Sequence, residues 1–306
     1  MTIPVTPNLS ASYPARRQLW WAAIKLPMYS VAVIPIALGT AIAYREHQQI
    51  NGLIFGLFLW GAIAVLAWEN LSNDVFDAET GIDANKAHSV VNLTQKKSLI
   101  LWLSLLCLLL GVASILTVAY LAQDWRIVAL ILVACSLGYA YQGPPFRWGY
   151  LGLGEPICFV TFGPMAIAAA LYSQGVEFSP LAAAVALFIG FTTTLILFCS
   201  HFHQVADDLA AGKRSPIVRL GTARGEKLLT WGLILCFGGY GLGLITAVLP
   251  LGTGLIFLTL PIAWQLMRQV QQYHDQPEQI KNCKFVAVKL HFWSGLLLIV
   301  GLLLTP

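Results

Sequence analysis

The 306-residue chain is 58% hydrophobic and only 10% charged, where a soluble domain of this size carries charge at about a quarter of its positions. That composition excludes an ordinary soluble protein, and a net charge of +4 with no basic tail excludes a nucleic-acid binder, whose affinity rests on concentrated positive charge. A membrane helix takes about 20 apolar residues, so the apolar content accommodates about nine spans and leaves little for a separate soluble domain.

Residues 1–18 are polar and proline-bearing, carry Arg16 and Arg17 near their end and lack a small-residue cleavage site. They are expected to form a cytosolic tail rather than a cleaved signal, with residues 19–306 as a single domain. Apolar runs of spanning length follow at 19–44, 51–72, 97–121, 126–142, 152–172, 180–200, 228–248, 251–268 and 285–305. The expected fold is therefore an all-α integral membrane bundle of nine transmembrane helices around a central cavity. With a cytoplasmic N-terminus, this count leaves only Arg45 and Arg126 on the far side. Lys25 and Lys289 lie inside spans near their cytoplasmic ends, and every other Lys and Arg falls in a cytoplasmic loop or tail. Among the acids, only Glu46, Asp124 and Glu177 fall on the far side, so the chemistry is expected at the cytoplasmic face. The six cysteines show no Cys-x-x-Cys spacing, and five of them lie in apolar runs as small core residues.

The second span ends in Asn70-Leu71-Ser72-Asn73-Asp74-Val75-Phe76-Asp77. On a helix, Asn70, Asn73, Asp74 and Asp77 fall within an arc of about 100°. An all-oxygen set of this kind suits Mg²⁺, which takes carboxylates, water and substrate phosphates. Read structurally, the stretch is a solvated helix end capped at Gly81, but amides and carboxylates clustered at a membrane-buried end are costly to keep without a role. The sixth span ends in His201-Phe202-His203-Gln204-Val205-Ala206-Asp207-Asp208. If the helix continues, His201, Gln204 and Asp208 share a face, whereas the alternating histidines splay apart, which disfavours zinc. Asp208, with Gln204 one turn before it, is the better Mg²⁺ candidate. Positive charge follows each cluster, as Lys86 after the first and as Lys213, Arg214 and Arg219 after the second. Acid and base facing one pocket is what a diphosphate requires, although the bias of cations to the cytoplasmic side explains any single one. Tyr139, Tyr141 and Arg147 in the aromatic turn after the fourth span are either interface anchors or residues placed over a ring or a cation. Glu155, four residues into the next span, is expected to pair with Arg147 or Lys25.

At these motifs the chain resembles the UbiA superfamily of intramembrane aromatic prenyltransferases, most closely its naphthoate branch from phototrophs, over nearly its whole length. The first motif of the family is carried by Asn73-Asp74-Val75-Phe76-Asp77, and the second aligns through Asp208 and Gly212-Lys213. The third acid of the first motif falls on Gly81, with Asp83 two residues later, and Gln204 replaces the first acid of the second motif. The resemblance implies a Mg²⁺-dependent transfer of phytyl from phytyl diphosphate to 1,4-dihydroxy-2-naphthoate, with loss of CO₂ and diphosphate. It implies Asp74, Asp77 and Asp208 as catalytic residues and Asn70, Asn73, Asp74, Asp77, Gln204 and Asp208 as metal ligands. Lys25, Lys86, Tyr139, Tyr141, Arg147, Lys213, Arg214 and Arg219 would bind the isoprenoid diphosphate and the naphthoate. The setting it implies is a cyanobacterial inner or thylakoid membrane, with the site facing the cytoplasm. The rival readings are transfer of a solanesyl-type chain to the same acceptor for menaquinone and, in a different class, a cation-coupled transporter, whose acids would belong near the bilayer midplane.

Overall fold

The computed structural model describes residues 16–82 and 89–304. The chain enters through α1 (Arg16–Ile24), which begins inside the segment expected as a tail. Lys25 takes a left-handed conformation (φ 53°) that breaks the helix, and a 3-10 turn (Leu26–Tyr29) leads into α2 (Ser30–His47). Next come α3 (Gly52–Thr80), α4 (Val90–Thr94), α5 (Lys97–Ala122) and α6 (Arg126–Gln142). The next crossing is α7 (Gly154–Val160) continued by α8 (Ala166–Ser173) through a π-type turn at Thr161–Met165. Pro164 sits in that turn, where its missing N–H relaxes the ladder from α to π geometry. After α9 (Pro180–His201), the short helices α10 (Val205–Ala210) and α11 (Pro216–Leu220) cross one end of the bundle. The chain closes with α12 (Thr222–Ile245), a 3-10 segment (Leu251–Thr259) running into α13 (Leu260–Tyr273), α14 (Pro277–Ile280) and α15 (Cys283–Leu304).

Eight of these helical segments are long and apolar enough to cross a membrane, among them Arg17–His47, Gly52–Thr80 and Pro180–His201. The shorter apolar helix is α6, whose bounds match the expected 126–142. At 1.5 Å per residue it is about 26 Å long, just under the hydrocarbon thickness. The apolar stretches of Arg17–His47 and Pro180–His201 are 61% buried, whereas those of α5 and α12 are 22% buried, so α2 and α9 form the centre and α5 and α12 the lipid-facing periphery. Helices close tightly where side chains vanish: a Cβ on Gly61 of α3 would meet Ile115 at 2.7 Å, and one on Gly111 of α5 would meet Val65 at 2.8 Å.

Two helix ends shape the site, and the second of them departs from the sequence reading. The apolar run of the second span ends near 72, but its polar end stays helical to Thr80, as a shared face for Asn70, Asn73, Asp74 and Asp77 requires, and is closed by Gly81 in the left-handed region at φ 76°. The sixth does not continue to Asp208. It ends at His201, and residues 202–204 form a turn before α10. Phe202, the first residue past the helix, is buried and packs edge-on against Phe198 with ring centroids 5.7 Å apart.

Candidate functional site

The end of α3 carries the first acids. Asp74 is fully buried, and its Oδ1 accepts a hydrogen bond from Lys25 Nζ at 3.2 Å while its Oδ2 accepts from the Val90 N–H at 2.8 Å. The left-handed break at Lys25 thus brings its ammonium to the α3 carboxylate. One turn later, Asp77 Oδ1 accepts from Gln142 Nε2 of α6 at 2.7 Å. Thr80 Oγ1 and the Tyr150 hydroxyl lie 2.6 Å apart. Burial pushes the Tyr150 phenol above its ordinary value, partly offset by that bond. Asn70 and Asn73 share this part of α3, and the Asn70 Nδ2 is buried without a partner.

The turn after α9 builds the second half. It folds α10 back so that Asp208 Oδ2 lies 3.2 Å from His201 Nδ1, while His201 Nε2 faces Glu155 Oε1 at 3.4 Å. Lys213 Nζ approaches Asp208 Oδ1 at 3.6 Å, beyond hydrogen-bond reach, leaving that buried oxygen unpartnered. Burial alone would raise the Asp208 pKa, but the His201 hydrogen bond and the Lys213 charge hold it below the usual carboxylate range. Asp208 is buried and Asp207 exposed. Gln204 lies in the turn rather than on a shared helical face, and its carbonyl accepts from the Asp208 N–H at 2.8 Å. His203 is pushed down to about 4, mainly by burial, so it stays neutral.

The other expected residues are distributed more widely. Lys86 and Asp83 lie outside the described residues. Arg214 is exposed, and its N–H donates to the Tyr150 carbonyl at 2.8 Å. The Arg219 guanidinium donates to the carbonyls of Arg214 (3.0 Å) and Leu151 (2.7 Å), tying the two loops together. The Tyr141 ring packs on Gly149 and Gly154, where a Cβ would come within 2.6 and 2.7 Å of it. The Tyr139 hydroxyl donates to the Pro144 carbonyl at 2.7 Å. Arg147 reaches Glu79 at 3.7 Å. The expected pairing of Glu155 with Arg147 or Lys25 is therefore replaced by a contact with His201, because those cations are engaged by Glu79 and Asp74.

The two halves meet at a cleft of about 130 Å³ lined by Thr80, Gly81 and Ile82 on one side and by Asp207, Ala210 and Ala211 on the other. Among the described residues no three His, Cys, Asp or Glu side chains gather as a closed metal cage. Mg²⁺ does not need one, since it is commonly held by one or two carboxylates, water and substrate phosphates. The bare Asp208 Oδ1 and the all-oxygen acids of α3 fit that mode. Sequence reasoning missed Gln142 and the backbone of Val90 as partners of the acids, and Tyr150 as the partner of Thr80. For Gln142 a signal existed, an amide at the end of an apolar run two residues before the Pro144-Pro145 turn.

Residues 32–296 match the profile of the UbiA prenyltransferase family. The 2-carboxy-1,4-naphthoquinone phytyltransferase of Synechocystis is 55% identical over 97% of this chain and 96% of that protein. The chloroplastic protein of the same name from Arabidopsis thaliana is 41% identical over 94% of this chain and 78% of that protein. In three dimensions the chain is similar to a UbiA homolog from Archaeoglobus fulgidus bound to DMAPP and Mg²⁺, with a TM-score of 0.55 at 15% identity, covering 93% of this chain and 98% of that one.

Proposed function

The chain belongs to the UbiA prenyltransferase family, and on that premise we propose that it transfers a phytyl group from phytyl diphosphate to 1,4-dihydroxy-2-naphthoate in phylloquinone biosynthesis. The observation that carries this reading is the 55% identity, over nearly the full length of both chains, to the Synechocystis phytyltransferase. Membership of a transferase family sets aside the cation-coupled transporter.

In this reading nine helices, α6 included, surround a central cavity formed by residues 19–306. The N-terminus and the acidic helix ends face the cytoplasm of a cyanobacterial inner or thylakoid membrane, as the distribution of Lys and Arg favours. Asn70, Asn73, Asp74 and Asp77 on α3 and Gln204 and Asp208 beyond α9 would hold Mg²⁺. When bound, the metal neutralises diphosphate charge as the allylic carbon–oxygen bond ionises. Lys25 and Lys213, each beside a buried aspartate, supply fixed positive charge to the departing diphosphate, with Lys86, Arg214 and Arg219 at the rim. Arg219 contributes by holding the second loop as well as by charge, because its guanidinium already spans two carbonyls. Tyr139, Tyr141 and Arg147 line the approach of the aromatic acceptor. The two tyrosine rings stabilise the allylic cation and keep water from it.

The test is a competition. Purified protein in nanodiscs receives 1,4-dihydroxy-2-naphthoate and equal amounts of phytyl, geranylgeranyl and solanesyl diphosphates, with Mg²⁺ or EDTA, and products are identified by mass. A decarboxylated phytyl adduct that EDTA abolishes is expected. A solanesyl preference would move the product to menaquinone, and no adduct beside an active control enzyme would overturn the acceptor.

A further inference from the structure

Glu155 is a carboxylate near the site that neither the metal nor the diphosphate accounts for, and among the described residues it is the one with both oxygens buried and lacking a hydrogen-bond partner. It lies in the first turn of α7, its residue is 9% exposed, and neither carboxylate oxygen has a hydrogen-bond partner. A carboxyl group left without partners in a buried setting is costly, and its persistence calls for a ligand. The neighbour that fixes it is His201, whose Nε2 sits 3.4 Å from Glu155 Oε1 while its Nδ1 is held 3.2 Å from Asp208 Oδ2. Glu155 is therefore joined through one imidazole to the aspartate of the second motif, and its second oxygen is left for something else. Two further unpartnered buried atoms are Gln142 Oε1 on α6 and Asn70 Nδ2 on α3.

Resting on the acceptor proposed above, we infer that Glu155 is the proton acceptor for the hydroxynaphthoate, taking up the ring hydroxyl next to the carboxylate-bearing carbon. The chemistry requires such a group. When that carbon attacks the allylic cation, a carbon–carbon bond forms, the hydroxyl becomes a ketone and its proton passes to Glu155. The carbon–carboxylate bond then breaks, CO₂ leaves, and the electron pair returns to the ring oxygen as an enolate. Glu155 gives back the proton to that oxygen, restoring the quinol, so no proton is gained or lost overall and no co-reactant is consumed. A carboxylate is suited to this borrowing because it has to act in both directions within one turnover. His201 is a positioning residue that fixes which oxygen of Glu155 is presented.

The charged and titratable groups around Glu155 are Tyr141 from α6, Cys158 on its own helix, His201 at the end of α9, and Asp208 and Lys213 beyond it, with Glu69 and Asp77 of α3 facing Tyr141. The test compares wild type, Glu155→Gln and Glu155→Asp in nanodiscs. Two rates are followed for each, transfer to 1,4-dihydroxy-2-naphthoate and acceptor-independent release of diphosphate from phytyl diphosphate. For Glu155→Gln the transfer kcat is expected to fall about 100-fold or more, the usual scale for a lost general base, while diphosphate release stays within about twofold. Its transfer rate should then climb about tenfold per pH unit as the acceptor ionises in solution. Glu155→Asp recovers part of the rate with the wild-type pH profile. Wild-type transfer by Glu155→Gln, or an equal fall of both rates with an unchanged pH profile, would overturn the assignment. If the acceptor itself were wrong, wild type would form no adduct, an outcome that separates the two failures.

Discussion

Two charge clusters sit at opposite ends of the bundle and are built from the same residue types. At the far end, Arg126 bridges Asp124 and Glu177, with nitrogen–oxygen distances of 2.6 to 3.0 Å and every guanidinium nitrogen donating. The guanidinium also lies 3.8 Å from the centroid of the Tyr172 ring. At the acidic helix ends, Lys25 reaches Asp74 at 3.2 Å and Lys213 stands 3.6 Å from Asp208, and Asp208 Oδ1 and both Glu155 oxygens have no hydrogen-bond partner. The first cluster is half or more exposed at Arg126 and Glu177, whereas Asp74 and Asp208 are almost wholly buried. Stability alone would produce the opposite pattern, because a buried charge lacking partners costs far more than an exposed one. The saturated cluster closes a surface, and in the proposed function the unsaturated one takes a ligand that brings its own charge.

The sharpest way to break that contrast is to remove a buried acid. Asp74→Ala and Asp77→Ala should each abolish turnover, with losses of about 1,000-fold or more, while the protein still inserts and elutes as a folded species. Retained activity in both would end the assignment of α3 to the site. Next in size is Lys213→Met, which removes the charge beside the bare Asp208 oxygen. Transfer should fall about 10- to 100-fold, on the scale of one charge-assisted contact, and raising Mg²⁺ should recover part of it. Gln142→Leu is smaller again, since Gln142 orients Asp77 through a single 2.7 Å bond. A loss of about tenfold in kcat is expected, with the Mg²⁺ concentration needed for half-maximal rate moving upward.

The contrast also explains what could be read from the sequence. The first motif was legible because α3 is one uninterrupted helix to Thr80, so spacing translated directly into a face carrying Asn70, Asn73, Asp74 and Asp77. The second was legible as a composition but not as a geometry. The same periodicity applied to His201, Gln204 and Asp208 assumes a helix that in fact ends at His201. His201 and Asp208 do meet, by a fold-back at residues 202–204 rather than by two helical turns. Eight spans were legible from apolar length, whereas α6, expected as a ninth, is shorter than a spanning helix. Partners distant in sequence were not, because nothing local to Glu155 or Asp77 announces His201 or Gln142. Only the crossing of α6, α7 and α9 beside α3 creates those contacts.

The far cluster supplies the smallest effect and the control. Arg126→Ala should leave the transfer rate within about twofold of wild type, since exposed ion pairs contribute little and are screened by salt. A larger loss would mean that the saturated end communicates with the chemistry. Its effect on thermal stability carries a sign. Arg126 hydrogen bonds hold Asp124 and Glu177 below the usual carboxylate range, so whatever stability the trio adds is fully present above the unfolded carboxylate value of about 4. It is lost as the pH falls through the lower folded values. The Tm gap between wild type and Arg126→Ala should therefore be widest near neutral pH and low salt and narrow on acidification. It should not close completely, because the guanidinium keeps its charge and its place over Tyr172 after both carboxylates are protonated.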